Sequence, residues 1–188
     1  MFGLWRMPIM PGMNERFEYR KLMFDGAVAK AYEVGLRMGD GEVVRRDLFE
    51  YPGAAVVLPV LDDGSIMLIR NYRFAVDEHL LELPAGLLEP GEDPALCAER
   101  ELIEETGYRA DRMERLGQFY TGPGTTDETM HAFLATGLTV GEQNLEAYEE
   151  IEVEVFRADK VRAMVGDGTI HDAKTIAALG MYWLRGEM

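Results

Sequence analysis

The segment GLLEPGEDPALCAERELIEETGY, Gly86 to Tyr108, constrains this chain more than any other, because it specifies a short helix together with both of its ends. Asp93 is placed to cap the N-terminus, Pro94 suits the first helical position, and Gly107 can take the left-handed conformation that closes a helix. The predicted helix runs over about residues 93–107. At about 100° per residue, Ala95, Leu96, Ala98, Leu102, Ile103 and Thr106 share one broad apolar arc. Glu101, Glu104 and Glu105 fall together on the other side, while Glu99 lands among the apolar residues and is assigned no role. Arg100 is the one cation of the helix. Such a cluster reads in two ways: as a solvated face, or as a set of oxygen ligands. Like charges three or four residues apart destabilise a helix by roughly 0.2–0.5 kcal/mol per pair, and negative charge near the C-terminal end opposes the helix dipole. Both penalties are relieved if a hard cation, magnesium or manganese, sits among the carboxylates and bridges to phosphate.

The rest of the chain reads as sheet with few helices. Arg16 to Pro52 alternates polar and apolar residues in three bursts, each closed by glycine or Pro-Gly, which predicts antiparallel strands. GAAVVLPVLDDGSIMLIRNYR gives two apolar strands around an Asp-Asp-Gly turn, and HLLELPAG a further short strand. After the helix, strands are predicted in MERLGQFYT, ETMHAFLATGL and IEVEVFRA, then a short helix from Asp159 to Val165 and a closing helix from Asp172 to about Leu184. The fold class is therefore mixed α/β, a sheet between helices. At 188 residues the chain can bury a core as one domain with a smaller appended sheet.

Charge and cysteine content exclude several function classes. A net charge of −15 at pH 7 repels phosphate backbones and anionic lipids, so neither nucleic-acid nor membrane-surface binding is expected. A small anionic ligand is still compatible, because local arginines or a metal reverse the field nearby. The single cysteine, Cys97, allows no internal disulfide and no Cys-based zinc site, and fits a reducing cytoplasm. Arg6 and two prolines interrupt the apolar opening MFGLWRMPIMPGM, which therefore reads neither as a signal peptide nor as a membrane span. His79, His131 and His171 stand apart at non-ligand spacing, Cys97 is expected to pack, and the twelve methionines read as core filler.

Gly86, Glu92 and the run Arg100-Glu101-Leu102-Ile103-Glu104-Glu105-Thr106-Gly107-Tyr108 stand at the spacing of the Nudix box, and the chain resembles the Nudix hydrolases at every fixed position of that motif. Tyr108 departs from it only in being aromatic where a bulky aliphatic is usual. The resemblance implies a Nudix α/β/α sandwich of mixed sheets, with divalent metal on Glu101, Glu104, Glu105 and the backbone carbonyl of Ala85. Arg100 would orient the glutamates, and Glu92 would act through water or brace the loop. Pro123, sixteen residues past Gly107, resembles the downstream proline of the ADP-ribose diphosphatases. LLELPAGLLEPGE, RNYR and GTIHDAKTIAAL resemble that branch as well.

The branch implies Mg-dependent hydrolysis of ADP-ribose to AMP and ribose 5-phosphate. The alternatives are another nucleotide sugar, GDP-mannose or UDP-glucose, or a sensor that binds without cleaving; the intact box carboxylates favour catalysis. It also implies a homodimer, with residues 1–52 as the dimerisation sheet and 53–188 as the hydrolase domain. Arg73 would contact the diphosphate, Glu128 the substrate, and Arg46 the site of the other subunit. Among Glu146, Glu149, Glu150 and Glu152 in the acidic stretch NLEAYEEIEVEV, Glu149 matches the family's general base best. Glu149→Gln is accordingly expected to lose far more kcat than thermal stability; steady-state kinetics showing near-normal turnover would overturn that role.

Overall fold

A computed structural model describes residues 16–145 and 150–186 of the chain, which divide into two compact units. The first takes the N-terminal region up to Pro52 together with Gly122–Glu128; the second takes Gly53–Thr121 and Thr129 onward.

In the first unit the three alternating bursts form an antiparallel sheet of β1 (Phe17–Asp25), β2 (Lys30–Arg37) and β3 (Val43–Glu50), in the order β1-β2-β3. Tyr19 pairs with Gly35 and its ring covers the glycine so closely that a Cβ there would lie 2.3 Å from the ring edge. Arg20 pairs with Glu50 and lies over the Tyr32 ring, 3.6 Å from its centroid. The loop carrying Pro123 is fastened to β3: Phe49 N–H donates to the Thr125 carbonyl (2.8 Å) and Tyr51 N–H to the Asp127 carboxylate (3.0 Å). Leu22, Met23, Phe24, Val28 and Phe49 of this unit are exposed, and Phe24, Val28, Phe49 and Tyr51 help line a groove of about 330 Å³.

The second unit is built around β4 (Ala54–Pro59), whose six residues are all buried. It pairs parallel to β9 (Thr129–Val140) and antiparallel to β7 (Ala85–Leu87), and β8 (Tyr108–Tyr120) completes a mixed sheet in the order β7-β4-β9-β8. A strand buried on both faces reads as continuous apolar sequence, as AAVVLP does. Alternate side chains serve opposite layers. Ala55 and Val57 pack with Cys97, Ala98 and Leu102 of α1 (Pro94–Thr106). Ala54, Val56 and Leu58 pack with Val161 and Met164 of α2 (Ala158–Gly166) and Ala178 and Leu179 of α3 (Ala173–Leu184). This is the expected α/β/α layering. A second, antiparallel sheet orders β10 (Ile151–Phe156), β5 (Ile66–Arg73) and β6 (Glu78–Glu82).

Several expectations are corrected. HLLELPAG is two strands, β6 and β7, because the chain leaves one sheet after Glu82 and joins the other at Ala85, with Pro84 between them. The strand after the helix begins at Tyr108, directly after the cap, rather than near Met113. Met67, Met130 and Met164 do fill the core, but Met23 and Met38 are exposed. No helix among the described residues is long and apolar enough to cross a membrane. Leu58 is fully buried at the centre of the larger cluster, so Leu58→Ala is expected to cost about 2–5 kcal/mol, read as a lower urea midpoint at unchanged slope.

Candidate active site

The helix of the carboxylate cluster forms as its punctuation predicts. The Asp93 carboxylate accepts from Ala95 N–H (2.8 Å), and Gly107, at φ 76°, donates its N–H to the Ile103 carbonyl (2.8 Å). A side chain at Gly107 would be excluded twice, by that positive φ and by Gln143 N, which would lie 2.9 Å from a Cβ. The chain returns to this helix end after β9. Gly141 N–H donates to the Gly107 carbonyl (2.6 Å), Gln143 Nε2 to the Glu105 carbonyl (2.6 Å), and Asn144 N–H to the Glu104 carbonyl (3.0 Å). Carbonyls that a helix terminus leaves unpaired are thus satisfied by one segment.

The apolar arc is rotated from the predicted one. Leu96 is exposed, as is the unassigned Glu99, while Cys97, Glu101 and Glu105 are buried; Glu101 is 8% and Glu105 2% accessible. The cause is the strand β7, which lies along the carboxylate side of α1. Ala85 N–H donates to Glu105 Oε2 (2.8 Å), and the Cys97 thiol lies 3.6 Å from the Gly86 carbonyl and 3.5 Å from that of Leu87. Burial pushes the Cys97 thiol up to about 12, so it packs rather than reacts. At Gly86 a Cβ would stand 1.9 Å from Glu101 Oε1, so the Glu101 carboxylate occupies the space a side chain there would take.

Arg100 organises the charges. A guanidinium has five N–H donors, and each has an acceptor here. Nε and Nη2 grip Glu92 at 3.0 and 3.1 Å, Nη1 reaches Glu101 at 2.5 Å and Glu104 at 3.1 Å, and Nη2 also donates to the Leu87 carbonyl at 3.1 Å. These hydrogen bonds, led by Glu92, raise the Arg100 pKa, and Arg100 in turn holds the Glu92 carboxyl below the usual range. One guanidinium therefore faces the three carboxylates of Glu92, Glu101 and Glu104, with Glu105 beside them on the same helix. That all-oxygen, net-negative donor set suits a hard divalent cation. With the Glu101 and Glu104 carboxylates turned onto Arg100, no group of three or more His, Cys, Asp or Glu side chains converges in metal-holding geometry among the described residues.

Arg73, at the end of β5, sits in the same unit. Its Nε and Nη2 donate to the two oxygens of Glu82 at 2.8 and 2.5 Å, which leaves the Nη1 edge without a hydrogen-bond partner among the described residues. Its pKa is raised, first by the Glu82 hydrogen bond and further by the nearby charges of Glu105 and Asp172. Arg46 and Glu128 belong to the first unit. Arg46 is exposed on β3 with Nη1 donating to the Arg45 carbonyl (2.8 Å), and Glu128 N–H donates to Thr126 Oγ1 (3.1 Å). Glu146 and Glu149 lie outside the described residues; Glu150 and Glu152 line a cleft of about 640 Å³ with Arg70, His79, Leu145 and Ile151. His79 is tilted against Tyr72 with ring centroids 5.2 Å apart, His171 lies 3.5 Å from Glu78, and burial lowers the His131 pKa.

Sequence reasoning missed Glu82 and Lys174, and placed Gly86 in the motif without giving it a role. The signal for Glu82 was a carboxylate inside the apolar run LLELPAG; for Lys174 there was none, since a lysine two residues into a helix is unremarkable.

The NUDIX domain family matches residues 50–179. The chain is 36% identical over 172 residues to the ADP-ribose pyrophosphatase of Bacillus subtilis, covering 90% of this chain and 93% of that protein. It is 33% identical to the methanol dehydrogenase activator of Bacillus methanolicus, covering 89% and 94%, and 39% identical to the GDP-mannose pyrophosphatase of Cronobacter sakazakii, covering 79% and 84%. A crystal structure of an ADP compounds hydrolase superposes with a TM-score of 0.78 over 91% of this chain and 94% of that one, at 23% identity. That likeness carries the fold. Gly86→Ala, which forces the Glu101 carboxylate out of its seat, is expected to lower stability by about 1–3 kcal/mol and to abolish any rise in melting temperature that magnesium or manganese gives the parent protein, both measurable in one thermal-melt series.

Proposed function

The chain belongs to the NUDIX family, and from that membership we propose that it hydrolyses the diphosphate bond of ADP-ribose, releasing AMP and ribose 5-phosphate, as a magnesium-dependent, cytoplasmic homodimer. The observation that carries this reading is the carboxylate set of α1, in which one guanidinium is set against Glu92, Glu101 and Glu104 with Glu105 buried alongside. The 36% identity to an ADP-ribose pyrophosphatase across nine-tenths of the chain supports the choice of substrate.

Each residue has a part in this reading. Glu101, Glu104, Glu105 and the Ala85 carbonyl would hold magnesium, with manganese as a substitute. When bound there, the ion would supply positive charge against the diphosphate oxygens and lower the pKa of water. Arg100 keeps the Glu101 and Glu104 carboxylates aimed. Arg73 presents its Nη1 edge to the diphosphate, and Glu128 contacts the substrate. Glu149 accepts the proton of the water as its oxygen bonds to phosphorus and the bridging P–O bond breaks. Arg46 of the partner subunit completes the site. The exposed apolar side chains of the first unit, Leu22, Met23, Phe24, Val28 and Phe49, support the pairing of two copies through that sheet.

GDP-mannose is the second substrate to weigh, because a GDP-mannose pyrophosphatase is 39% identical over 79% of this chain. A hydrolysis panel with magnesium separates the two readings. ADP-ribose is expected to lead GDP-mannose and UDP-glucose in kcat/KM by about tenfold or more, equivalent to about 1.4 kcal/mol at the transition state, with Glu105→Gln inactive. Preference for GDP-mannose overturns the substrate but not the chemistry; binding without cleavage of any of the three overturns the enzyme reading.

A further inference from the structure

Glu82 is 1% accessible, yet it is ionisable and lies at the buried end of β6, between Leu81 and Leu83, which are buried too. Replacing a buried ion pair by well-packed apolar residues is often neutral or stabilising, so stability alone is a poor reason to keep a carboxylate there. Its surroundings form a closed ring. Glu82 Oε2 accepts from Lys174 Nζ (2.5 Å), and Lys174 also pairs with Asp172 Oδ2 (3.0 Å). Asp172 Oδ2 accepts from the Thr175 hydroxyl (2.6 Å), and Thr175 Oγ1 accepts from Leu83 N–H (2.9 Å), next to Glu82. Asp172 is also the N-cap of α3, accepting from Thr175 N–H (3.0 Å). Both the side chain and the backbone of Glu82 are therefore fixed. Three residues on, at the start of β7, the Ala85 N–H holds Glu105.

From this immobile seat Glu82 takes the Nε and Nη2 edge of Arg73 in a two-point fork. A fork fixes the plane of a guanidinium, which a single contact cannot. The remaining Nη1 edge is thereby aimed as well. We infer that Glu82 is a positioning residue for diphosphate binding, holding Arg73 so that its open edge meets the substrate, while Lys174 and Asp172 tie that setting to the start of α3. The inference rests on the assignment of Arg73 to the diphosphate. An arginine at the mouth of a strand would otherwise lose side-chain entropy on each binding event; held in place beforehand, it does not.

A double-mutant cycle tests this. Glu82→Gln and the charge-preserving Glu82→Asp are each combined with Arg73→Ala, and kcat, KM and melting temperature are measured for all variants on whichever nucleotide sugar the parent cleaves fastest. Glu82→Asp withdraws the carboxylate from Arg73 by one methylene and keeps the cluster's charge, so it remains informative if Glu82→Gln fails to fold. The expected result is a loss of about tenfold or more in kcat/KM, chiefly through KM, in the Arg73 background, and less than about twofold when Arg73 is already alanine. Equal losses in both backgrounds would make Glu82 merely structural and overturn the inference. If the parent cleaves no nucleotide sugar, the proposed function fails, and the same cycle is read as Kd for inorganic diphosphate. Coupled losses there uphold the positioning role; additive losses, or no binding by the parent, overturn it.

Discussion

Among the described residues three carboxylates, those of Glu82, Glu101 and Glu105, are withdrawn from water, and everything near them answers to the cost of doing so. A buried charge is tolerated only with partners that replace its hydration. Glu105 takes a backbone N–H from Ala85, Glu101 a guanidinium from Arg100, and Glu82 both Arg73 and Lys174. Satisfying Glu82 fastens β6 to β5 and α3, and satisfying Glu105 fastens α1 to β7. The strand β7 is only three residues long, but it pairs with β4 on one side while its first residue holds Glu105 and its glycine makes room for Glu101.

The layered core explains how such a cluster stays put. The odd and even residues of β4 are claimed by different helices, α1 on one face and the α2 and α3 pair on the other. The strand cannot slip by one residue without exchanging its two sets of neighbours. A rigid strand at the centre sets the position of β7, and β7 sets the Ala85 carbonyl and the Gly86 gap. Arg100 then supplies internally the positive charge that the glutamates require for folding, and its hydrogen bonds to the Leu87 carbonyl and Glu92 knit the loop before the helix to the helix itself.

Local physics was legible in the sequence and long-range placement was not. Asp93, Pro94 and Gly107 act within a few residues of themselves, so the helix ends and the caps could be predicted from their chemistry alone. The glutamate cluster was legible as spacing on one helix. Which of its members are buried was not, because that depends on β7 lying against α1, a contact between segments joined by an irregular loop. For the same reason helical periodicity alone turns Leu96 inward and leaves Cys97 off the apolar face, whereas Leu96 is exposed and Cys97 buried. The split of HLLELPAG into two strands of different sheets has only Pro84 to mark it, and a proline there is equally compatible with a strand end. Lys174 could not have been found, since its partner Glu82 is ninety-two positions away. The family resemblance filled part of this gap by supplying roles to residues whose surroundings the sequence does not contain.

The parallel pairing of β4 with β9 joins Ala54 to Met130 and Pro59 to Ala135. Parallel neighbours cannot be made by a tight turn, and here the closing loop contains β5, β6, β7, the whole of α1 and β8. During folding, the central sheet can close only after that long excursion has been brought back, at the entropic cost of a large loop and with the slow kinetics typical of non-local pairing. The helix with its charged face lies inside the excursion, and the loop that caps its last carbonyls follows β9. The C-terminal carbonyls of α1 and the carboxylate of Glu82 thus take partners, Gln143, Asn144 and Lys174, from chain that follows β9. Closing the central sheet and completing the partners of the charged residues are therefore both non-local, and a change that loosens the β4–β9 pairing reaches the carboxylates as well as the core.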